Sequence, residues 1–386
     1  MVSPMYKVQE IFNKGYGNFL EKHGENIDTD KVAKAIMSCK TSALGGNSTT
    51  CQDCGETHVH YNSCRNRHCP CCQSLTKEKW IDARKADVVD APYFHAVFTV
   101  PEELNPLIFS NKRLLYNLLY SASSDTLMEL ARDKRHMGAD IGFLSILHTW
   151  GSNLSFHPHI HVIVLGAGLD KSLKFVTKDN KFLFLIKVVS RLFRGKFLSG
   201  LKKLKSDGKL TFPVSLSILK QPEKFNGFLS NLYSTEWVPH IKETFKGAAN
   251  VIEYLGRYTH RIAISNSRIT DVSETSVTFK VKDYKSGSNT ELTLGNEEFI
   301  RRFLMHVLPK GFVKIRHYGI LSNRTKRKKV AIIRALIGGR VYKPIYKDLS
   351  GLQLLKKMFG IDPGVCRYCG SSNIRRESLN GVKKLE

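Results

Sequence analysis

The 386-residue chain is longer than the roughly 250–300 residues at which a single core stops growing, so two or three domains are expected and a small stapled module is excluded. Hydrophobic residues at 42% and aromatics at 10% are enough to fill cores, which excludes wholesale disorder. With 60 Lys and Arg against 34 Asp and Glu, the net charge of +26 points to a polyanionic partner, nucleic acid first.

Val8, Ile11, Phe12, Phe19 and Leu20, then Val32 and Ile36, stand at helical spacing and predict two short amphipathic helices in the first 40 residues. A loop-rich stretch follows that holds seven of the nine cysteines, from Cys39 to Cys72. Such a segment has too little apolar content to bury a core, so a metal must hold its shape. Cys51-Gln-Asp-Cys54 and Cys69-Pro-Cys71-Cys72 are two CxxC knuckles, and Cys51, Cys54, Cys69 and Cys72 together form a closed tetrahedral site for structural Zn²⁺. Cys71 is an alternative to Cys72. A second zinc drawing on Cys39, Cys64, His68, His58 and His60 is left open.

Residues 77–90 read as helix, and Phe94 to Val100 as a strand ended by Pro101. That proline with Glu102 and Glu103 opens a helix whose apolar pattern runs toward Met137 and Gly138. Ile141–Leu147 and Phe156–Leu165 flank the polar Trp150-Gly151-Ser152-Asn153 and predict an antiparallel hairpin. Its second strand carries His157-Pro158-His159-Ile160-His161. Alternate residues of a strand share a face, so His159 and His161 can grip one divalent ion while Ile160 turns to the core. With the turn near Asn153, His148 lies across from His157 or His159 and is the chosen third ligand, His157 and His95 being the alternatives. Three ligands leave coordination positions open, which is a catalytic arrangement.

The Lys-rich residues 170–210 show less pattern and read as an insertion or arm. A helical region is expected from about 222 to 258, and near its end Tyr254 and Tyr258 stand four apart, which on a helix puts both hydroxyls on one face. A phenolate is a competent nucleophile toward a phosphodiester whose charge a metal withdraws. Arg257 and Arg261 would neutralise phosphates beside it, and His260 would help position the tyrosine or complete the metal shell. Ser276–Lys282 and Glu291–Leu294 alternate as strands, and 296–307 reads as helix. Residues 301–386 carry 21 Lys and Arg against 4 Asp and Glu, a net +17. Arg301, Arg302 and Arg316, with the run Arg324, Lys326, Arg327, Lys328 and Lys329, are the expected DNA-backbone contacts. Cys366-Arg-Tyr-Cys369 near the C-terminus is half a ribbon that needs ligands from elsewhere. Strands interleaved with helices around a hairpin predict an α+β core with a mainly antiparallel sheet. No apolar stretch approaches the ~18–20 residues of a membrane span and no secretory leader is seen, so a soluble, cytoplasmic protein is expected, nucleoid-associated when bound to DNA.

From Cys39 to Asn323, with the tail CxxC, the chain resembles the two-tyrosine HUH rolling-circle insertion-sequence transposases. The resemblance rests on Cys39-Lys-Thr-Ser-Ala-Leu-Gly-Gly, on Tyr61-Asn-Ser-Cys-Arg-Asn-Arg-His-Cys-Pro, on Val97-Phe-Thr-Val-Pro101 and on His148-Thr-Trp-Gly through His161 to Gly168. It continues through Tyr254-Leu-Gly-Arg-Tyr258 and through Phe299-Ile-Arg-Arg-Phe-Leu-Met-His to Arg316-His-Tyr-Gly. Departures fall at Asn47, Ala167 and Cys71, outside the histidine and tyrosine motifs. The resemblance implies a zinc-binding, DNA-end-recognising domain (1–80), an HUH-type nuclease core (81–265), a basic α/β region (266–350) and a CxxC tail (351–386). It further implies cleavage and rejoining of single-stranded DNA with Mg²⁺ or Mn²⁺, through a 5′-phosphotyrosine on Tyr254 or Tyr258 and a free 3′-OH, the partners being the single-stranded ends of a mobile element and the target DNA. A homodimer is left open, as are a rolling-circle replication initiator or relaxase-like nickase, and a zinc-dependent DNA-binding protein without catalysis.

Overall fold

The computed structural model describes residues 6–72, 74–177, 183–245, 251, 256, 263–282, 287–338 and 341–380. In chain order the elements are α1 (Val8–His23), α2 (Ile27–Ser38), β1 (Gly46–Cys51), β2 (Thr57–Tyr61), α3 (Ser74–Lys85), β3 (Tyr93–Thr99), α4 (Asn105–Ser110), α5 (Lys112–Arg132), β4 (Asp140–Trp150), β5 (Phe156–Leu169), β6 (Phe175–Thr177) and α6 (Ile186–Ser206). There follow α7 (Pro222–Ser234), β7 (His240–Phe245), β8 (Ile269–Val272), β9 (Ser276–Lys282), β10 (Asn289–Gly295), α8 (Asn296–Met305), β11 (Ile315–Gly319), α9 (Lys326–Ile337), α10 (Gly351–Phe359) and β12 (Ile374–Leu379).

The fold is α+β, and its strands pair antiparallel throughout the described sheets. The central sheet runs β11-β4-β5-β3-β7, with β6 beside β5. Strand alternation divides its two faces. Phe94, Phe98, Phe143, Leu147, Ile160 and Val162 point to one side and are covered by α4 to α7 in the largest core. On the other side Leu144, Ile146, Ile163 and Leu165 are sealed by Ile320, Val330 and Ile333, and Val251 joins this cluster. Further along that second face the apolar residues give way to histidines.

Two smaller sheets flank this core. In β8-β9-β10, Val277 and Phe279 pack with Phe299, Ile300 and Phe303 of α8 and with Ile11 and Phe12 of α1. Asn26 caps α2, its side chain accepting from the Asp28 and Thr29 N–H groups at 3.2 and 3.3 Å. In the third sheet, β12-β1-β2, the C-terminal strand returns to the N-terminal cysteine region, with Cys51 opposite Ile374.

Three stretches differ from the expected pattern. Within the Lys-rich 170–210, α6 is a 21-residue helix that buries Val189, Phe193, Phe197 and Leu201 on α5 and carries its lysines outside, so net charge had masked an amphipathic period. The helical region expected over 222–258 is interrupted: α7 ends at Ser234, Pro239 bars helix at and just before itself, β7 follows at the sheet edge, and Val251 and Gly256 are helical again. Of the basic run, Lys326 to Lys329 form the first turn of α9 and Arg324 stands just before its cap; Val330 and Ile333 of that helix are buried.

Candidate metal centre and zinc sites

The β4–β5 register sets His148 directly opposite His159, and His161 follows on the same face. One ligating atom from each of His148, His159 and His161 lies within 4.8 Å of the others. His159 Nδ1 donates to the His157 carbonyl at 2.6 Å, and since a carbonyl only accepts, Nε2 is left with its lone pair outward. His161 mirrors this, its Nδ1 standing 2.9 Å from Nε2 of His95 on β3. The two Nε2 atoms converge at 3.1 Å. Metal–nitrogen bonds of about 2.1 Å put two adjacent ligands about 3.0 Å apart, so the pair fits a divalent ion. Burial holds His159 and His95 down to about 4 and His161 well below its ordinary value, keeping the imidazoles in the neutral, ligating form. Lys314, buried against the Trp150 ring at 4.9 Å and pushed by desolvation to about 7, adds to that depression at His161.

Of the alternatives considered as third ligand, His157 lines the approach and His95 stands behind His161. The turn that presents the cluster is clamped from outside. Arg302 donates to the Asn153 carbonyl at 3.0 Å, His306 to that of Leu154 at 3.1 Å, and Arg268 to that of Ser152, while the Ser152 hydroxyl donates to the Lys282 carbonyl at 2.8 Å. The histidines open into a cleft of about 780 Å³. One wall is the central sheet with His159, His161 and Thr99; the other is β9–β10 with Lys280, Lys282 and Asn289.

The cysteines correct the expected grouping. Cys51, Cys54, Cys69 and Cys72 do not share a site: Cys51 and Cys54 meet Cys366 and Cys369, whereas Cys69 and Cys72 meet Cys39 and Cys64. The reason is β12, which carries the tail knuckle back beside β1 and completes there what the Cys51 knuckle begins. Sulfur separations of 3.6 Å (Cys51–Cys369) and 3.7 Å (Cys54–Cys366) in one cluster, and 3.2 Å (Cys39–Cys72) and 3.5 Å (Cys64–Cys72) in the other, exclude disulfides. Tetrahedral Zn–S bonds of about 2.3 Å imply sulfurs about 3.8 Å apart, which both sets approach. Cys71 stays outside, its sulfur accepting from Asn266 at 3.4 Å. His68 is no ligand either: Nδ1 faces Asn66 Oδ1 at 3.1 Å and Nε2 accepts the Leu308 N–H at 3.2 Å, so both nitrogens are engaged. His58 and His60 sit on β2, outside both clusters.

Several expected DNA contacts have internal partners. Arg301 and Arg302 both bind Glu298 at 2.6 Å, Arg316 lies 4.0 Å over the Tyr120 ring, and Lys326 pairs with Asp87 at 2.8 Å and Lys329 with Asp140 at 3.7 Å. Arg324, Arg327 and Lys328 are exposed. Tyr254, Tyr258, Arg257 and Arg261, with His260, lie outside the described residues. Their neighbours Val251 and Gly256 are helical and buried, Val251 on the histidine-bearing side of the sheet and Gly256 against Ile81 of α3.

A family model described as "Putative transposase" matches residues 142–329, which take in nearly all of the β4–β5 hairpin, β9, β10 and α8. A second, described as "Transposase zinc-binding domain", matches residues 11–100. The chain is 42% identical over 363 residues to "Putative transposase y4qJ" of Sinorhizobium fredii (strain NBRC 101917 / NGR234), covering 90% of this chain and 91% of that one. This chain belongs to the two-tyrosine HUH insertion-sequence transposase family. It is also 28% identical over 395 residues to "Transposase for insertion sequence element IS801" of Pseudomonas savastanoi pv. phaseolicola, across 99% of this chain and 92% of that relative. No solved structure matches. As a transposase with a zinc-binding domain, the chain has DNA as its partner class and structural zinc as its expected metal. Among the described residues no helix is long and apolar enough to cross a membrane.

Proposed function

We propose that this transposase cuts and rejoins single-stranded DNA of an insertion sequence by tyrosine attack beside the histidine cluster. The observation that carries the reading is the convergence of His159 and His161 Nε2 at 3.1 Å, with His148 alongside, at the floor of an open cleft. His148, His159 and His161 would hold the ion. A bound Mg²⁺ or Mn²⁺ supplies positive charge that polarises the scissile phosphate. The phenol oxygen of Tyr254 or Tyr258 attacks phosphorus, the bond to the 3′ oxygen breaks, the phenol proton is lost and the 3′ oxygen leaves protonated as a free hydroxyl. The 5′ phosphate stays on tyrosine and keeps the bond energy for rejoining. Two tyrosines allow two strands to be held in succession. The support for this reading is that Val251, three residues before Tyr254 in the chain, is itself buried on the histidine side of the sheet.

The test is denaturing electrophoresis of a single-stranded oligonucleotide carrying an element end, incubated with the protein and Mn²⁺. A covalent adduct should form, and Tyr254→Phe with Tyr258→Phe together should abolish it. Cleavage without adduct would instead mean hydrolysis by water. Binding with neither, under any divalent ion, would leave a DNA-binding protein without catalysis.

A further inference from the structure

We propose that Lys280 and Lys282 of β9 form a phosphate-binding rail for the single strand, on the wall of the cleft that faces the histidines; this rests on the strand-cutting reading above. The alternation of β9 buries Val277 and Phe279 in the second core and leaves Lys280 and Lys282 exposed on the opposite face; both line the cleft with His159 and His161, as does the half-buried Val281 between them. Two residues along a strand separate the side chains by about 7 Å, close to the repeat between neighbouring phosphates of an extended single strand. Glu291 stands opposite Lys280 in the β9–β10 register, yet neither lysine amino group makes an ion pair or hydrogen bond among the described residues.

The rail is also fixed in place. The Ser152 hydroxyl holds the Lys282 carbonyl, and Arg268 spans from the Lys280 carbonyl (2.8 Å from Nε) to that of Ser152, so hydrogen bonds tie the lysine strand to the hairpin turn beside the histidines. Arg268 is thereby consumed as a strut, and among the described residues that line the cleft Lys280 and Lys282 are the lysines. By contrast Arg301 and Arg302, also expected to hold DNA, share Glu298. A strand laid between the walls would have its backbone on the lysines and one phosphate at the histidines.

The test is fluorescence anisotropy of a short labelled oligothymidylate with the full-length protein, without divalent metal, across a series of salt concentrations. For single strands the salt slope is about 0.7 per phosphate contact, so Lys280→Ala/Lys282→Ala should lower it by about 1.4 and weaken binding, while Lys280→Arg/Lys282→Arg should retain it. Mn²⁺ affinity, measured by calorimetry on the same double variant, should stay within twofold of wild type, which shows that the fold and the histidine site are intact. Wild-type binding with an unchanged slope in the alanine variant would overturn the rail alone. A wild-type chain that does not bind single strand would overturn the strand-cutting reading and the rail with it.

Discussion

At the scale of single residues, the centre depends on how its imidazoles are oriented rather than on how many there are. His161 can offer Nε2 only while something accepts its Nδ1 proton, and His95 Nε2 at 2.9 Å is that acceptor. Such outer partners commonly set metal affinity by about 10–100-fold. His95→Phe keeps a flat ring on β3 but removes the acceptor, so Mn²⁺ affinity by calorimetry should fall within that range; affinity unchanged from wild type would show that His161 is oriented by packing alone. His306 illustrates the opposite use of an imidazole. It is buried between the Thr149 hydroxyl and the Leu154 carbonyl, each at 3.1 Å, and burial pushes it down to about 3. Because the folded state keeps it neutral while the unfolded chain protonates near 6.5, the unfolded state binds more protons as pH falls, and stability drops. Between pH 6.5 and 5 one such group costs about 2 kcal/mol. Urea unfolding at the two pH values should therefore show a steeper loss in wild type than in His306→Gln, which has no proton to take up. Equal losses would mean that His306 ionises freely in the native state.

At the scale of elements, what was legible in the sequence was what local periodicity encodes. The β4–β5 hairpin, its face-sharing histidines and the α1, α2 and α8 helices follow from apolar spacing of 2 or 3.6 residues, which a strand or helix imposes on its own. Contacts between distant segments leave no such trace. The pairing of β12 with β1 joins residues more than 300 apart, so the tail knuckle read as half a site and the Cys51 knuckle was matched to its nearest neighbour in sequence. His95 and Lys280 were in plain view within predicted strands, but which neighbour each would face is decided by sheet order. The zinc assignment makes this testable. The protein should carry two zinc ions by elemental analysis, and Cys366→Ala/Cys369→Ala should remove one of them. Under the grouping by sequence proximity, the zinc held by Cys51 and Cys54 would survive that change. A tight turn at the end of β11 offers a second test. Gly319 has φ of 59°, and a Cβ there would overlap the Ile141 carbonyl oxygen of the neighbouring strand. Gly319→Ala should lower stability by about 2–4 kcal/mol in urea unfolding, since left-handed strain adds to a backbone clash that no side-chain rotation relieves.

At the scale of the whole molecule, the +26 charge is divided between cations that hold the fold together and cations that face solvent. Arg302 clamps the hairpin turn, Arg334 donates to the Ala86 and Val88 carbonyls at 2.6 and 2.9 Å, and Lys326 ties α9 to Asp87. Their charge still adds to the long-range field, but their side chains are not at liberty to follow a phosphate backbone. Arg324, Arg327 and Lys328 are exposed at the N-terminal end of α9, where the helix dipole already favours an anion, so cations there repel the helix end unless a polyanion neutralises them. This predicts a separation between two sets of variants. Replacing Arg324, Arg327 and Lys328 by alanine should reduce the salt slope of duplex DNA binding by about 0.9 per lost contact, close to 2.7 for three, with thermal stability unchanged or slightly raised. Replacing Arg301 and Arg302 should lower thermal stability, because Glu298 loses both partners and the turn loses the Asn153 clamp, while the salt slope changes little. Salt titrations and melting curves on the two variants decide the matter. A slope that falls on losing Arg301 and Arg302, with melting unaffected, would place DNA on α8 and return the α9 cluster to the role of a solvated surface.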